Sequence, residues 1–243
     1  MKRRKFIQAG LILASTGTAA SIFKPAGAAE RVLQGGKLWQ AKETPPPTPA
    51  NPDKRMFFTQ DEFAQVTAIF DRLIPADELS VSASQAGCVV FIDNQLAGSY
   101  GDAAWKYKGG PYEKGTEAQG IQSPLTPREI YRKGLAEMNS HCRQSTGKTF
   151  TELSADQQDL YLEQMEANKF SYPSFGSEAL FGQFLSNVQE GFLADPIYGG
   201  NRNMVGWKMI GFPGARYDYR DVANQKGQRI TLEPISIIDH LKA

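Results

Sequence analysis

His141, His240, Cys88 and Cys142 are the only imidazoles and thiols in the 243-residue chain. Nucleophilic, proton-shuttling or metal-binding chemistry of the usual kind has to run through these four. Their spacing does not support it. There is no Cys-x-x-Cys, Cys-x-x-Cys-His or His-x-x-x-His, so zinc, iron–sulfur and covalently attached haem lack their ligands. His141 and Cys142 are adjacent, yet neighbours on a helix point about 100° apart, a poor geometry for one ion. His240 lies close to the end of the sequence and reads as a surface residue.

Other catalytic signatures are missing too. No Gly-x-Ser-x-Gly occurs, and a serine triad would have to recruit one of the two histidines. No Gly-x-Gly-x-x-Gly follows a strand, and the pairs Gly109-Gly110 and Gly199-Gly200 lack the Lys-Ser/Thr of a phosphate loop. The 26 acidic residues allow many chance carboxylate pairs, none marked by its spacing. The expectation is a polypeptide with no catalytic residue, no metal ligand and no cofactor-binding residue. A net charge of +1 without a basic stripe argues against a nucleic-acid partner.

The N-terminus carries a different message. Lys2-Arg3-Arg4-Lys5-Phe6 is a basic start, followed by an apolar run from Ala9 to Phe23 that is too short for a convincing membrane span. Ala26-Gly27-Ala28 supplies small residues for cleavage between Ala28 and Ala29. Arg3, Arg4 and Phe6 resemble the core of a twin-arginine signal, with Lys2 and Gln8 departing from its usual flanks. A general secretory signal and a retained anchor remain alternatives. The twin-arginine route carries folded cargo, typically cofactor-bearing, to the periplasm. A signal of that type on a protein with no visible cofactor site implies that the cargo is a complex, with the cofactor on another subunit. In an oxidising compartment Cys88 and Cys142 are disulfide candidates; closing a loop of about 55 residues would stabilise the fold by roughly 4 kcal/mol. A bond from one of them to a partner subunit is the alternative.

The elements that must position any surface are helical. Residues 1–28 read as the signal and 29–55, with ETPPPTPANPDKR, as an extended proline-rich arm; 56–243 read as one irregular, mainly α domain. Thr59-Gln60-Asp61-Glu62 is a capping box before Phe63, Val66, Phe70 and Leu73, and Pro75 ends the run. Residues 84–97 predict a shorter apolar helix, with a buried strand as the alternative for CVVFI. Thr126-Pro127-Arg128-Glu129 opens a helix through Tyr131, Leu135 and Met138. Ser154-Ala155-Asp156-Gln157 opens another, with Leu160, Tyr161 and Met165 on one side. Ser177–Leu193 carries a broad face of Leu180, Phe181, Phe184, Leu185, Val188 and Phe192. Each buried Leu or Phe is worth about 1.5–3 kcal/mol, enough for a helical core. A long connection, 98–123, bears WKYKGGPY.

One stretch fits none of these patterns. DPIYGGNRNMVGWKMIGFPG, residues 195–214, mixes bulky apolar residues with breakers that forbid a long regular element. Its Tyr, Trp, Met and Arg are types enriched at interface centres. Asp195, Pro196, Tyr198, Gly199, Gly200, Asn201, Trp207, Phe212 and Pro213 are the candidate partner-interface residues, each with a plain structural role as its alternative.

The twin-arginine start, the segment LFGQFLSNVQEGFLADPIYGGN and its continuation GWKMIGFPGARY resemble the gluconate 2-dehydrogenase subunit 3 family. The resemblance spans about residues 57–220 and is most specific from Gly191 to Tyr217. It implies a non-catalytic small subunit of a membrane-bound sugar or sugar-acid dehydrogenase. In that family FAD sits on a large subunit of the glucose-methanol-choline oxidoreductase type, and haem c on a multihaem cytochrome subunit. The small subunit would escort the signal-less flavoprotein through the twin-arginine translocase to the periplasm, where the complex associates with the inner membrane. A separate reading is a periplasmic carbohydrate-binding module in which Trp105, Tyr107, Trp207 and Phe212 stack on a sugar.

Overall fold

The computed structural model describes residues 48–104, 115–116, 124–228 and 230–241. Arg3, Arg4, Phe6, Ala28, Ala29, most of the proline-rich arm, Trp105 and Tyr107 lie outside the described residues. Among the described residues the α-helices are α1 (Gln60–Leu73), α2 (Cys88–Ala97), α3 (Pro127–Thr146), α4 (Ala155–Glu166), α5 (Ser177–Leu193), α6 (Val205–Ile210) and α7 (Ile237–Leu241). The β structure among those residues is limited to two isolated bridges, Ser171 with Gly176 and Gly214 with Ile235. The fold is mainly α.

Local chemistry sets the helix starts. At α1 the Thr59 hydroxyl accepts from the Glu62 N–H (3.2 Å) and the Glu62 carboxylate accepts from the Thr59 N–H (2.9 Å). Thr126 with Glu129 and Ser154 with Gln157 repeat the reciprocal cap at α3 and α4. The proline at the first position of α3 loses nothing, because that N–H has no intrahelical partner. Gly147 then ends α3 in the left-handed region at φ 75°. Of the segment 84–97, residues 88–97 are helix, including CVVFI, for which a strand is the alternative.

α5 is the central helix. It packs against α1, α2 and α4 and carries α6 on its C-terminal end. Leu180, Phe184 and Val188 are fully buried, and Phe181 and Phe192 nearly so, while Leu185 sits at the edge of the core. The other walls bring Val66, Ile69 and Phe70 from α1, Ile92 and Leu96 from α2, and Tyr131, Leu135 and Met138 from α3. On α4 the inward face differs from the expected one. Leu160 is 54% exposed, and Gln158, Tyr161, Leu162 and Met165 point inward. Positions 158, 161, 162 and 165 form one helical stripe. Gln158 can occupy it because its Nε2 donates to the Phe150 carbonyl (3.0 Å).

Cys88 and Cys142 are both buried free thiols, so the expected internal bridge is not formed. The reason is where their helices place them. Cys88, at the start of α2, lies against Gly191 of α5, where a Cβ would stand 3.1 Å from the Cys88 Cα. Cys142, near the end of α3, lies near the Tyr161 side chain of α4. Burial pushes the Cys88 thiol up to about 12 and the Cys142 thiol up to about 11. His141 beside it stacks on Phe170 (4.1 Å, 18°) and shares a hydrogen bond with Tyr161 (3.0 Å).

A buried acid organises the entry to α1. Asp93 on α2 is 1% exposed, and its carboxylate accepts from the backbone N–H groups of Met56, Phe57 and Phe58 (2.5, 3.0 and 2.7 Å). Arg132 clamps the same segment from α3. It pairs with Glu62, donates to the Phe57 carbonyl (2.5 Å) and lies 4.0 Å over the Phe57 ring.

Candidate functional site

The stretch 195–214 folds as three short helical pieces: the 3-10 turns Pro196–Tyr198 and Arg202–Met204, followed by α6. Two of its polar residues, Asp195 and Asn201, turn inward. Asp195 is 9% exposed; one carboxylate oxygen accepts from the Ile197 N–H (2.9 Å) and the other from the Ile237 N–H (2.9 Å). Pro196 starts the turn that Asp195 caps. Asn201 is fully buried in the left-handed region at φ 44°; its amide donates to the Ala194 carbonyl (2.9 Å) and its oxygen accepts from the Gly206 N–H (2.8 Å).

The two glycines between them answer a steric demand. Gly199 ends the first turn at φ 95°, a conformation that disfavours any side chain. Gly200 lies so close to α5 that a Cβ would stand 2.1 Å from the Gly191 carbonyl oxygen. The end of the proline-rich arm reaches the same place, where the Ala50 N–H donates to the Ile197 carbonyl (2.9 Å).

Trp207 also faces home. It is 5% exposed, its indole N–H donates to the Leu193 carbonyl (2.7 Å), and Phe212 meets it edge-on (5.2 Å, 72°). The Leu193 carbonyl belongs to the last turn of α5, which lacks a helical partner for it, so the indole closes off the end of that helix. The Pro213 carbonyl accepts from the Ile235 N–H (3.3 Å). Of the nine candidates, Tyr198 and Phe212 alone present large apolar surface outward, at 47% and 44% exposure.

Residues outside that set complete the outer surface. On α6 Met209 and Ile210 are exposed, as are Leu193 at the end of α5 and Leu79 and Val81 in the α1–α2 loop. Between that loop and α6 runs a cleft with two lobes. One, of about 300 Å³, is lined by Leu73, Ile74, Pro75, Phe192, Leu193 and Ile210 among others. The other, of about 570 Å³, is lined by Leu79, Val81, Val205 and Lys208 among others. Met209, Asp77 and Ser80 border both. The sequence pattern missed this face because Leu79 and Val81 lie in a short loop with no periodicity. Met209 and Ile210 are two apolar residues on a helix whose other face, Gly206 and Trp207, is buried. That pairing was the available signal. Asp93, an acid inside the apolar run CVVFIDNQLA, was another.

Among the described residues no group of three or more His, Cys, Asp or Glu side chains has a metal-holding arrangement. No described helix is long and apolar enough to cross a membrane.

Fold and loop together define the class first: a mainly helical domain whose glycine-rich loop is folded back onto its central helix. Residues 60–214, from the first residue of α1 to the Gly214 bridge, match the family model described as gluconate 2-dehydrogenase subunit 3. The protein belongs to that family, an accessory subunit of a dehydrogenase complex. No curated protein and no solved structure matches it.

Proposed function

We propose that this protein is the non-catalytic escort subunit of an FAD-dependent gluconate, or related polyol or sugar, dehydrogenase. It stabilises a flavoprotein that has no export signal and takes it through the twin-arginine translocase to the periplasm. FAD and haem c sit on the partner subunits, and the complex associates with the inner membrane. The observation that carries this reading is the open apolar face around the cleft, with Leu79, Leu193, Met209 and Ile210 each at least 42% exposed. A cluster of that kind marks a contact surface more often than a solvated one. The residues Arg3-Arg4 and family membership supply the rest of the support.

The test is Arg3→Lys with Arg4→Lys in the native host, followed by fractionation. The expected result is dehydrogenase activity retained in the cytoplasm with the flavoprotein. Undiminished periplasmic activity in that variant would refute co-export. The carbohydrate-binding alternative is weakened by Trp207, whose ring is buried and whose N–H is already bonded.

A further inference from the structure

The cleft between the α1–α2 loop and α6 has three features that bear on what could occupy it. Leu79, Met209 and Ile210 stand 79%, 47% and 57% exposed around it. Ser80 borders both lobes, and its hydroxyl is turned away from solvent without a hydrogen-bond partner. Such a group is costly to leave unmatched, and a rotation of the serine side chain toward the cleft would let an occupant's polar atom satisfy it. Finally, the lips are charged unequally. Asp77, whose Oδ1 accepts from the Leu79 and Ser80 N–H groups, and Glu78 on the loop lip face Lys208 on the α6 lip, and no ion pair among the described residues engages any of the three. Two carboxylates against one ammonium leave the cleft net negative.

We infer that this cleft seats an amphipathic segment of the flavoprotein subunit. Two apolar side chains of that segment fill the lobes on either side of Met209, a polar atom meets the Ser80 hydroxyl, and a Lys or Arg lies against Asp77 and Glu78. The inference rests on the escort reading and specifies its contact. A preformed groove with apolar pockets and a polar rim is the arrangement that takes an apolar helix face or extended segment. Charge decides between occupants: a second copy of this protein would bring a face of the same net sign, whereas a basic amphipathic segment is complementary.

The experiment is co-purification of the full-length protein with the flavin-containing subunit from the native host, read as bound flavin per small subunit. It compares the wild type with Met209→Asp, Ile210→Asp and Glu78→Lys, with thermal melts to verify that each variant folds. The expected result is a loss of flavin occupancy of about tenfold or more for the two aspartate variants, as for centrally placed apolar anchors. Glu78→Lys should lower occupancy about threefold at low salt, with the difference fading at high salt. Folded variants that keep wild-type occupancy would overturn the cleft assignment and leave the escort reading intact. Wild-type protein that never carries flavin would overturn the escort reading, and the inference with it. Wild-type self-association that Met209→Asp abolishes would assign the cleft to a second copy and overturn the partner segment.

Discussion

Removing the Asp93 carboxylate is the sharpest test of how this domain is held together. Three backbone N–H groups converge on it, from Phe57 (3.0 Å) and Phe58 (2.7 Å) on one oxygen and from Met56 (2.5 Å) on the other. In Asp93→Ala all three lose their acceptor. Met56 is 50% exposed, so water replaces much of what its N–H loses; Phe58 is 4% exposed and its N–H stays unpaired. One buried unpaired donor costs about 1–3 kcal/mol, and bonds to a charged acceptor contribute about 1.5–3 kcal/mol each, so the alanine variant should lose about 3–5 kcal/mol. Asp93→Asn separates the contributions. Its amide oxygen can still serve Phe57 and Phe58, while its NH2 group faces the Met56 N–H, and the expected loss is about 1–2 kcal/mol. Urea unfolding followed by circular dichroism measures both, and for a domain of this size each kcal/mol lowers Tm by about 2–4 °C. An alanine variant within about 0.5 kcal/mol of wild type, the ordinary scale of surface substitutions, would refute the argument. So would an asparagine variant as damaged as alanine.

Two further outcomes follow from the same contacts. Gly200→Ala drives a Cβ to 2.1 Å from the Gly191 carbonyl. Backbone has to move, so the melt should drop by the equivalent of about 2 kcal/mol or more, and an unchanged Tm would refute the close approach. The two thiols, raised by burial from 9.0 to about 12 and about 11, are more readily ionised in the unfolded state. Their contribution to stability is therefore complete below about pH 9 and lost as pH rises through about 11–12. Stability should fall over that window in urea titrations. Native protein at pH 8 should resist iodoacetamide and react with two equivalents after unfolding; fast native labelling, or no thiol after unfolding, would count against the buried free cysteines.

How much of this was legible depended on whether a residue's partner is local. The caps at Thr59, Thr126 and Ser154 and the face of Ser177–Leu193 were readable because their partners lie three or four residues away. The inward face of α4 was not, because Gln158 is held by Phe150 through a tertiary turn and Leu160 has no neighbour to bury it. In the loop, residue types announced bulk without direction. Trp207 and Tyr198 looked equivalent in the sequence. The free Leu193 carbonyl that turns the indole inward exists only once α5 has ended beneath it. Two cysteines in an even count suggested a bridge, and helix placement gave them different neighbours. The groove at α6 needed two segments more than a hundred residues apart.

Asp195 has a consequence beyond capping its own turn. Its second oxygen holds the Ile237 N–H, while the turn it caps presents the Ile197 carbonyl to Ala50. The segment leading into α1 and the segment leading into α7 are thus fastened within three residues of each other. Among the described residues, a pull from the N-terminal side reaches this junction at Ala50, and one from the C-terminal side reaches it at Ile237 once the His240 contact with the Ala215 carbonyl has given way. Both ends of the described domain are therefore held by a few hydrogen bonds of one loop, and a single-molecule pulling trace of Asp195→Ala should show a lower rupture force than wild type.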